Sequence, residues 1–151
     1  DVPGLPQTSC NLGILRTSQD QVTGEFCIRS ALSTQQEMMN RRISALVPEL
    51  GGHVIVRPGC PGWAFVPESP LRECCCRAWQ ETTGSAAVVK ISHAGAECGL
   101  FAAAIPGLDA VAMGPTITDV HTPRERLDAA SADTVWQCLC RVLEMLAAEG
   151  R

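Results

Sequence analysis

Several features that assign proteins to particular classes are missing from this sequence. It contains one lysine, Lys90, and no basic tract, and its formal net charge is -4, so a nucleic-acid partner is not expected. No apolar run approaches the ~20 residues that a helix needs to span a bilayer, so no membrane span is expected. The start at Asp1 lacks a charged segment followed by an apolar one, so no signal peptide is expected. The first residue is not an initiator methionine, which we interpret as the sign of an incomplete chain.

The nine cysteines do not follow the pattern of a disulfide or zinc framework. Their number is odd, and 151 residues are enough for an ordinary core without cross-links. Cys74, Cys75 and Cys76 are consecutive, and one residue separates Cys138 from Cys140, whereas structural zinc sites use C-x-x-C pairs. We therefore interpret the cysteines as small buried apolar residues in a reducing cytoplasm. A cysteine-based metal or redox protein stays open as an alternative.

The first part of the sequence predicts a small layered lobe in the order β-β-α-β. Residues 11–16 and 22–30 form strand patterns on either side of a polar turn at 18–21. A helix follows, with a capping box formed by Ser33 and Gln36 and a stop at 51–52. A further strand is predicted over residues 53–56.

A stretch rich in proline and glycine, residues 58–67, is interpreted as a linker between residues 1–57 and a second lobe over 68–151. Helix and strand alternate in the second lobe, which predicts a mostly parallel sheet covered by helices. The predicted helices cover residues 70–83, capped by Ser69, then 97–104, and a last helix that Ser131 opens; the predicted strands cover 86–91 and 108–113.

Two loops of the second lobe follow predicted strands, where ligands gather in open α/β sheets. In the later loop His121 is the best candidate for a metal ligand, because a neutral imidazole is a common zinc ligand. Asp119 is placed to orient its second ring nitrogen. From the residues alone, an ordinary surface histidine is the more frequent case.

Other residues suggest contacts to an anionic or polar ligand. Gly95 and Gly99 flank a helix start, where free amide groups and the helix dipole favour an anion. Glu97 lies in that first turn and is at least as well explained by stabilisation of the helix start. Arg29 lies near the end of a predicted strand, and its guanidinium could bind a carboxylate through two hydrogen bonds. The alternative interpretation is an arginine that is solvated at the edge of the sheet.

Seven short segments, taken in order, resemble one known family. They are Asn11-Leu12-Gly13, Ile28-Arg29-Ser30, Gly62-Trp63, His93-Ala94-Gly95-Ala96-Glu97-Cys98-Gly99, Pro106-Gly107-Leu108-Asp109, Gly114-Pro115-Thr116 and His121-Thr122-Pro123-Arg124-Glu125-Arg126. Together they resemble the C-terminal portion of the aminoacyl-histidine dipeptidases (Xaa-His dipeptidases, or peptidase D). These are dinuclear-zinc peptidases related to carnosinase.

The resemblance implies a role for each candidate residue. His121 matches the last zinc ligand of the family, and Arg29 matches a lid arginine that binds the substrate carboxylate. Gly95 matches a glycine that contacts substrate through its backbone, and Glu97 lies in the same motif. Residues 1–57 would be part of a lid that often carries dimer contacts, and residues 68–151 the C-terminal part of an α/β catalytic domain.

The resemblance also implies that most of the catalytic site lies elsewhere. The other ligands of the two zinc ions and the glutamate base belong to an N-terminal half, and this sequence has no His-x-Asp and no Glu-Glu pair. We therefore expect a cytoplasmic, homo-oligomeric dipeptidase of which this portion holds at most one zinc ligand and no catalytic residue, and is inactive alone. The alternative is a non-catalytic module for dimerisation or small-ligand binding.

Overall fold

The computed structural model of the protein describes residues 6–91 and 97–150. In these ranges the elements are β1 (Thr8–Thr17), β2 (Val22–Ser30), α1 (Ser33–Glu49), α2 (Pro70–Thr83), α3 (Glu97–Ala104), β3 (Ile117–Thr118), β4 (Arg126–Leu127) and α4 (Ala129–Ala148). The predicted mixed α/β class is confirmed. The chain divides into two compact units, one formed by Asp1–Val66 with Lys90–Leu108 and the other by Pro67–Val89 with Asp109–Arg151.

The first unit contains the predicted hairpin. β1 and β2 pair in an antiparallel ladder that begins where Thr8 lies opposite Ser30. In the turn, the backbone N–H of Ser18 donates to the carbonyl of Gln21 at 2.9 Å, and the Ser18 hydroxyl accepts from the Gln21 N–H at 3.2 Å. These bonds close a polar turn between two strands, which confirms the hairpin.

The start of α1 differs from the prediction. Its N-cap is Leu32, which provides no side-chain hydrogen bond, so the capping box of Ser33 and Gln36 is wrong. The Ser33 hydroxyl instead accepts from the N–H of Gly62 at 3.2 Å, and the Gln36 side-chain amide donates to the carbonyl of Cys60 at 3.1 Å. Both side chains therefore bind the segment that follows the helix in sequence, because its backbone groups belong to no ladder.

Three predicted strands, over residues 53–56, 86–91 and 108–113, are wrong: the structure describes all of these residues and places none in a strand. The expected parallel sheet is wrong as well, since both described sheets are two-stranded and antiparallel. A strand needs a hydrogen-bonded neighbour, and the described residues supply none to these segments. Their apolar side chains stay accessible: Ile55 is 73% and Val88 is 81% exposed. The β-β-α-β lobe is observed as β-β-α.

The core of the second unit lies between α2 and α4. As predicted, Ser69 caps α2, where its hydroxyl accepts from the N–H of Arg72 at 3.0 Å, and Gly84 ends the helix with a φ of 73°. The buried core residues are Cys74, Ala78, Cys138 and Val142. All nine cysteines are free thiols. Cys74 and Cys138 fill this core as small apolar residues, as expected, whereas Cys10, Cys27 and Cys60 are exposed, so the expectation of buried cysteines is wrong for these three.

The last helix begins earlier than predicted. Asp128, not Ser131, is the N-cap of α4, and its carboxylate accepts from the N–H groups of Ala130 at 2.9 Å and Ser131 at 3.3 Å. An acidic side chain is favoured there by the free N–H groups and by the helix dipole. Among the helices of the described ranges, none combines the length and apolar character that a bilayer crossing requires.

Candidate functional site

His121 lies in the second unit, in the loop that joins β3 to β4. Its backbone has a φ of 64°, and Asp119, two residues earlier, has a φ of 52°. Both values lie in the left-handed region, which costs a residue with a side chain roughly 1–2 kcal/mol. The loop must therefore hold these residues through specific contacts.

Hydrogen bonds across the loop provide those contacts. The N–H of His121 donates to the Glu125 Oε2 at 2.8 Å. The carbonyl of Asp119 accepts from the Thr122 hydroxyl at 2.7 Å and from the Thr122 N–H at 3.2 Å. The N–H of Glu125 in turn donates to the carbonyl of Thr122 at 3.1 Å. His121 is thus held on a closed turn and not on a free chain.

The base of this loop is tied to the start of α4. The N–H of Thr116 donates to the Ser131 Oγ at 2.8 Å, and the N–H of Asp128 donates to the carbonyl of Thr116 at 3.0 Å. The Ser131 hydroxyl also donates to the carbonyl of Asp128 at 2.7 Å. The residues that cap the helix therefore also fix where the loop of His121 begins.

The imidazole of His121 is exposed, and no described residue hydrogen-bonds it. The expected orienting bond from the Asp119 carboxylate is not formed. The described ranges contain no group of three or more His, Cys, Asp or Glu residues that could hold a metal ion. Structural and catalytic zinc sites take three or four protein donors, so these residues fit one coordination position and not a zinc site.

Arg29 and Glu97 belong to the first unit. Arg29 lies next to the end of β2, opposite Ser9 in the ladder, and it is exposed. No described carboxylate forms an ion pair with its guanidinium, which leaves that group accessible to an anion. Glu97 is the first residue of α3 and is also exposed. Gly95 lies outside the described residues.

Gly62 and Gly99 each lie very close to the backbone of another segment of the first unit. The sequence patterns did not predict these two contacts. A Cβ at Gly62 would lie 2.5 Å from the carbonyl oxygen of Ala31. A Cβ at Gly99 would lie 2.8 Å from the carbonyl oxygen of Pro61. Since such distances are shorter than Cβ contacts allow, only glycine fits either position without displacement of the backbone.

The segment 61–63 is therefore packed on two sides. One side meets the chain that follows Arg29, and the other meets the buried face of α3, the helix that begins at Glu97. Gly99 serves this packing, and its expected part in an anion site stays a prediction. The signal in the sequence was a glycine amid the prolines of 58–67 together with a second glycine inside a short helix.

Comparisons with known proteins give two relatives. No protein-family model matches the chain. Over 146 residues, 97% of this chain, it is 29% identical to the cytosol non-specific dipeptidase of Escherichia coli strain K12. Its structure matches the crystal structure of an aminoacylhistidine dipeptidase from Vibrio alginolyticus with a TM-score of 0.77, at 27% identity and over 95% of this chain. The chain spans 30% of the length of the first and 29% of the second.

Proposed function

We propose that this chain, which is homologous to dipeptidases over nearly its whole length, supplies substrate-binding residues and one metal ligand of a zinc-dependent dipeptidase. The proposed substrates are Xaa-His dipeptides. The proposed complete enzyme holds two zinc ions, acts in the cytoplasm and forms homo-oligomers. Residues 1–57 are assigned to its lid and dimerisation domain, 58–67 to a linker, and 68–151 to the C-terminal part of its catalytic domain.

One observation carries the metal-ligand assignment: the loop that bears His121 is closed by hydrogen bonds while the imidazole itself stays exposed and without a described partner. Two residues of this loop adopt left-handed backbone, and strained backbone of this kind clusters at functional sites. A fixed backbone lowers the conformational entropy that a side chain loses when it binds a ligand. These features suit a donor that is presented to an ion whose other ligands come from outside the described residues.

The substrate assignment rests on Arg29. Its planar guanidinium can bind the carboxylate of a dipeptide through two parallel hydrogen bonds. Gly95 is assigned a backbone contact to substrate, and Glu97 belongs to the same binding region. The packing of the segment 61–63 against both Ala31 and Gly99 supports a fixed arrangement of the residues that surround these candidates.

A chain with one metal ligand and no identified base is expected to be inactive alone. The test is to incubate the purified chain with zinc and a Xaa-His dipeptide, and to measure cleavage. A second protein, in which this chain replaces the homologous segment of the Escherichia coli dipeptidase, is expected to cleave the same dipeptide. That activity should disappear with His121→Ala and persist with His53→Ala, an exposed histidine of the other unit. Cleavage by the chain alone, or by the chimera with His121→Ala, would contradict the proposal.

A non-catalytic module for dimerisation or small-ligand binding is the second candidate. The observation in its favour is the exposed apolar surface of the β1–β2 hairpin, where Leu15 is 62% and Val22 is 68% exposed. Such a module would bind a dipeptide through Arg29 without any requirement for zinc. Dipeptide binding by the chain that is unchanged by zinc and by His121→Ala would favour it over the dipeptidase.

A further inference from the structure

We infer that Glu125 is the positioning residue of His121: its carboxylate holds the backbone N–H of His121 at 2.8 Å and thereby fixes the direction in which the imidazole leaves the loop. This inference rests on the proposed function, in which that imidazole is a metal donor. It concerns a residue that touches no metal and no substrate. Glu125 acts on the backbone of His121, which is the proposed metal donor.

The first step concerns the backbone of His121. A φ of 64° is uphill for a residue with a Cβ, so His121 would relax to the ordinary β or right-handed region if nothing held it. That change would turn the Cα–Cβ bond and redirect the ring. The conformation therefore requires a contact whose strength is comparable to the strain.

The second step identifies that contact. Among the described residues, the acceptor of the His121 N–H is the Glu125 carboxylate and not a backbone carbonyl. Hydrogen bonds to an ionised acceptor are shorter and stronger than neutral ones, and they are comparable to the cost of a left-handed residue. Glu125 is thus able to decide which conformer is populated.

The third step concerns what fixes Glu125 itself. Its N–H donates to the carbonyl of Thr122 at 3.1 Å, and the next residue, Arg126, pairs with Thr118 in the β3–β4 ladder. The Thr122 hydroxyl accepts from the N–H of Arg124 at 3.2 Å. The carboxylate therefore extends from a backbone that is bonded on both sides, and it reaches back to His121 across the turn.

A simpler interpretation is that every bond of the loop contributes equally to its stability. The two interpretations differ for Thr122→Val, which removes the Thr122 hydroxyl bonds and leaves the Glu125 carboxylate in place. If Glu125 is the positioning residue, Glu125→Ala changes the sign of φ at His121 and Thr122→Val does not. If the loop is merely a set of equal contacts, both variants behave alike.

The experiment uses the full 151-residue chain, labelled for NMR. A strong nuclear Overhauser effect between the amide and α protons of one residue reports a positive φ. We expect this signal at His121 in the wild type and in Thr122→Val, reduced in Glu125→Gln, and lost in Glu125→Ala. We also expect roughly tenfold faster amide exchange at His121 in Glu125→Ala, because its N–H then has no protein acceptor. Glu49→Ala, at the exposed end of α1, is the control and should change neither signal.

Retention of the positive-φ signal in Glu125→Ala, or its equal loss in Thr122→Val, would overturn the inference. A zinc titration of the same samples separates it from the proposed function. If zinc shifts the ring resonances of His121 equally in the wild type and in Glu125→Ala, and φ is unchanged, the positioning role of Glu125 is contradicted and the metal-ligand role of His121 is not. If Glu125→Ala loses the positive φ but zinc does not shift the His121 ring resonances of the wild type, the metal-ligand role of His121 is contradicted and the positioning role of Glu125 is not. Unchanged resonances of the buried core between α2 and α4, which belongs to the same unit as the loop, verify that each variant is folded.

Discussion

Gly99 and Pro61 approach so closely that a Cβ at Gly99 would lie 2.8 Å from the carbonyl oxygen of Pro61. We therefore expect Gly99→Ala to destabilise the first unit by about 1–3 kcal/mol, because backbone must move to admit the methyl group. Gly62→Ala should act in the same way against Ala31. Gly59→Ala is the matched control, because nothing lies within 4 Å of a Cβ there. Urea unfolding measures the difference, and equal stability of Gly99→Ala and Gly59→Ala would contradict this packing.

Ser69 is expected to contribute strongly to the second unit. Its side chain is 3% exposed, donates to the Asp109 Oδ1 at 2.6 Å, and accepts from the N–H of Arg72 at 3.0 Å. We expect Ser69→Ala to lower the free energy of unfolding by about 1–2 kcal/mol, as for other lost helix caps. Thermal unfolding should show this, with the exposed Ser85→Ala as control; a shift no larger than that of the control would be inconsistent with a buried cap.

The thiol of Cys75 predicts a dependence of stability on alkaline pH. Partial burial, with smaller contributions from Cys74 and Cys138, raises the pKa of Cys75 to about 11. Because the thiol titrates later in the folded chain than in the unfolded one, its contribution to stability is present below about pH 9 and is lost as the pH rises through about 11. We expect the free energy of unfolding of Cys75→Ala, measured by urea unfolding, to decrease less between about pH 9 and pH 11 than that of the unsubstituted chain.

The same shift predicts an order of chemical modification. At neutral pH the exposed thiol of Cys60 should be alkylated well before Cys75, because the thiolate is the nucleophile. Mass spectrometry of the alkylated peptides measures both rates in one sample. Faster modification of Cys75 than of Cys60 would contradict the partial burial of Cys75 and its raised pKa.

Exposed apolar side chains predict self-association of the chain. Val88, which is 81% exposed, lies in a segment that was predicted as a strand and has no ladder partner among the described residues. Such a segment favours pairing with another chain. Light scattering is expected to show oligomers whose mass falls with Val88→Asp and is unchanged by Ser85→Asp. A monodisperse monomer in the unsubstituted chain would count against this prediction.

Local signals in the sequence predicted the helices well. The cap at Ser69 and the glycine at Gly84 set both ends of α2, and the bounds predicted for α3 agree with the structure. Asp128, and not Ser131, caps α4, because its carboxylate accepts from the N–H groups of Ala130 and Ser131. Ser131 lies within the first turn, where its hydroxyl donates to the carbonyl of Asp128. The capping box at Ser33 failed because that hydroxyl binds a segment distant in sequence.

Strands and sites depended on partners that local patterns do not specify. Residues 53–56, 86–91 and 108–113 have apolar strand-like sequences, but none of the residues that the structure describes pairs with them to complete a ladder. The family resemblance is confirmed by the two dipeptidases that the chain matches. The roles of His121, Arg29, Gly95 and Glu97 stay predictions, and so does the division at 58–67.

The most direct measurement is a zinc titration of the chain, followed by NMR of the histidine rings. If His121 is a metal donor, its ring should shift with a weak, saturable dependence on zinc, since one imidazole provides a single bond. Zinc binding by the chain should be lost in His121→Ala, and the shift of the His121 ring should be unchanged in His53→Ala. A His121 ring that zinc does not affect, or tight zinc binding that depends on the cysteines, would contradict the assignment.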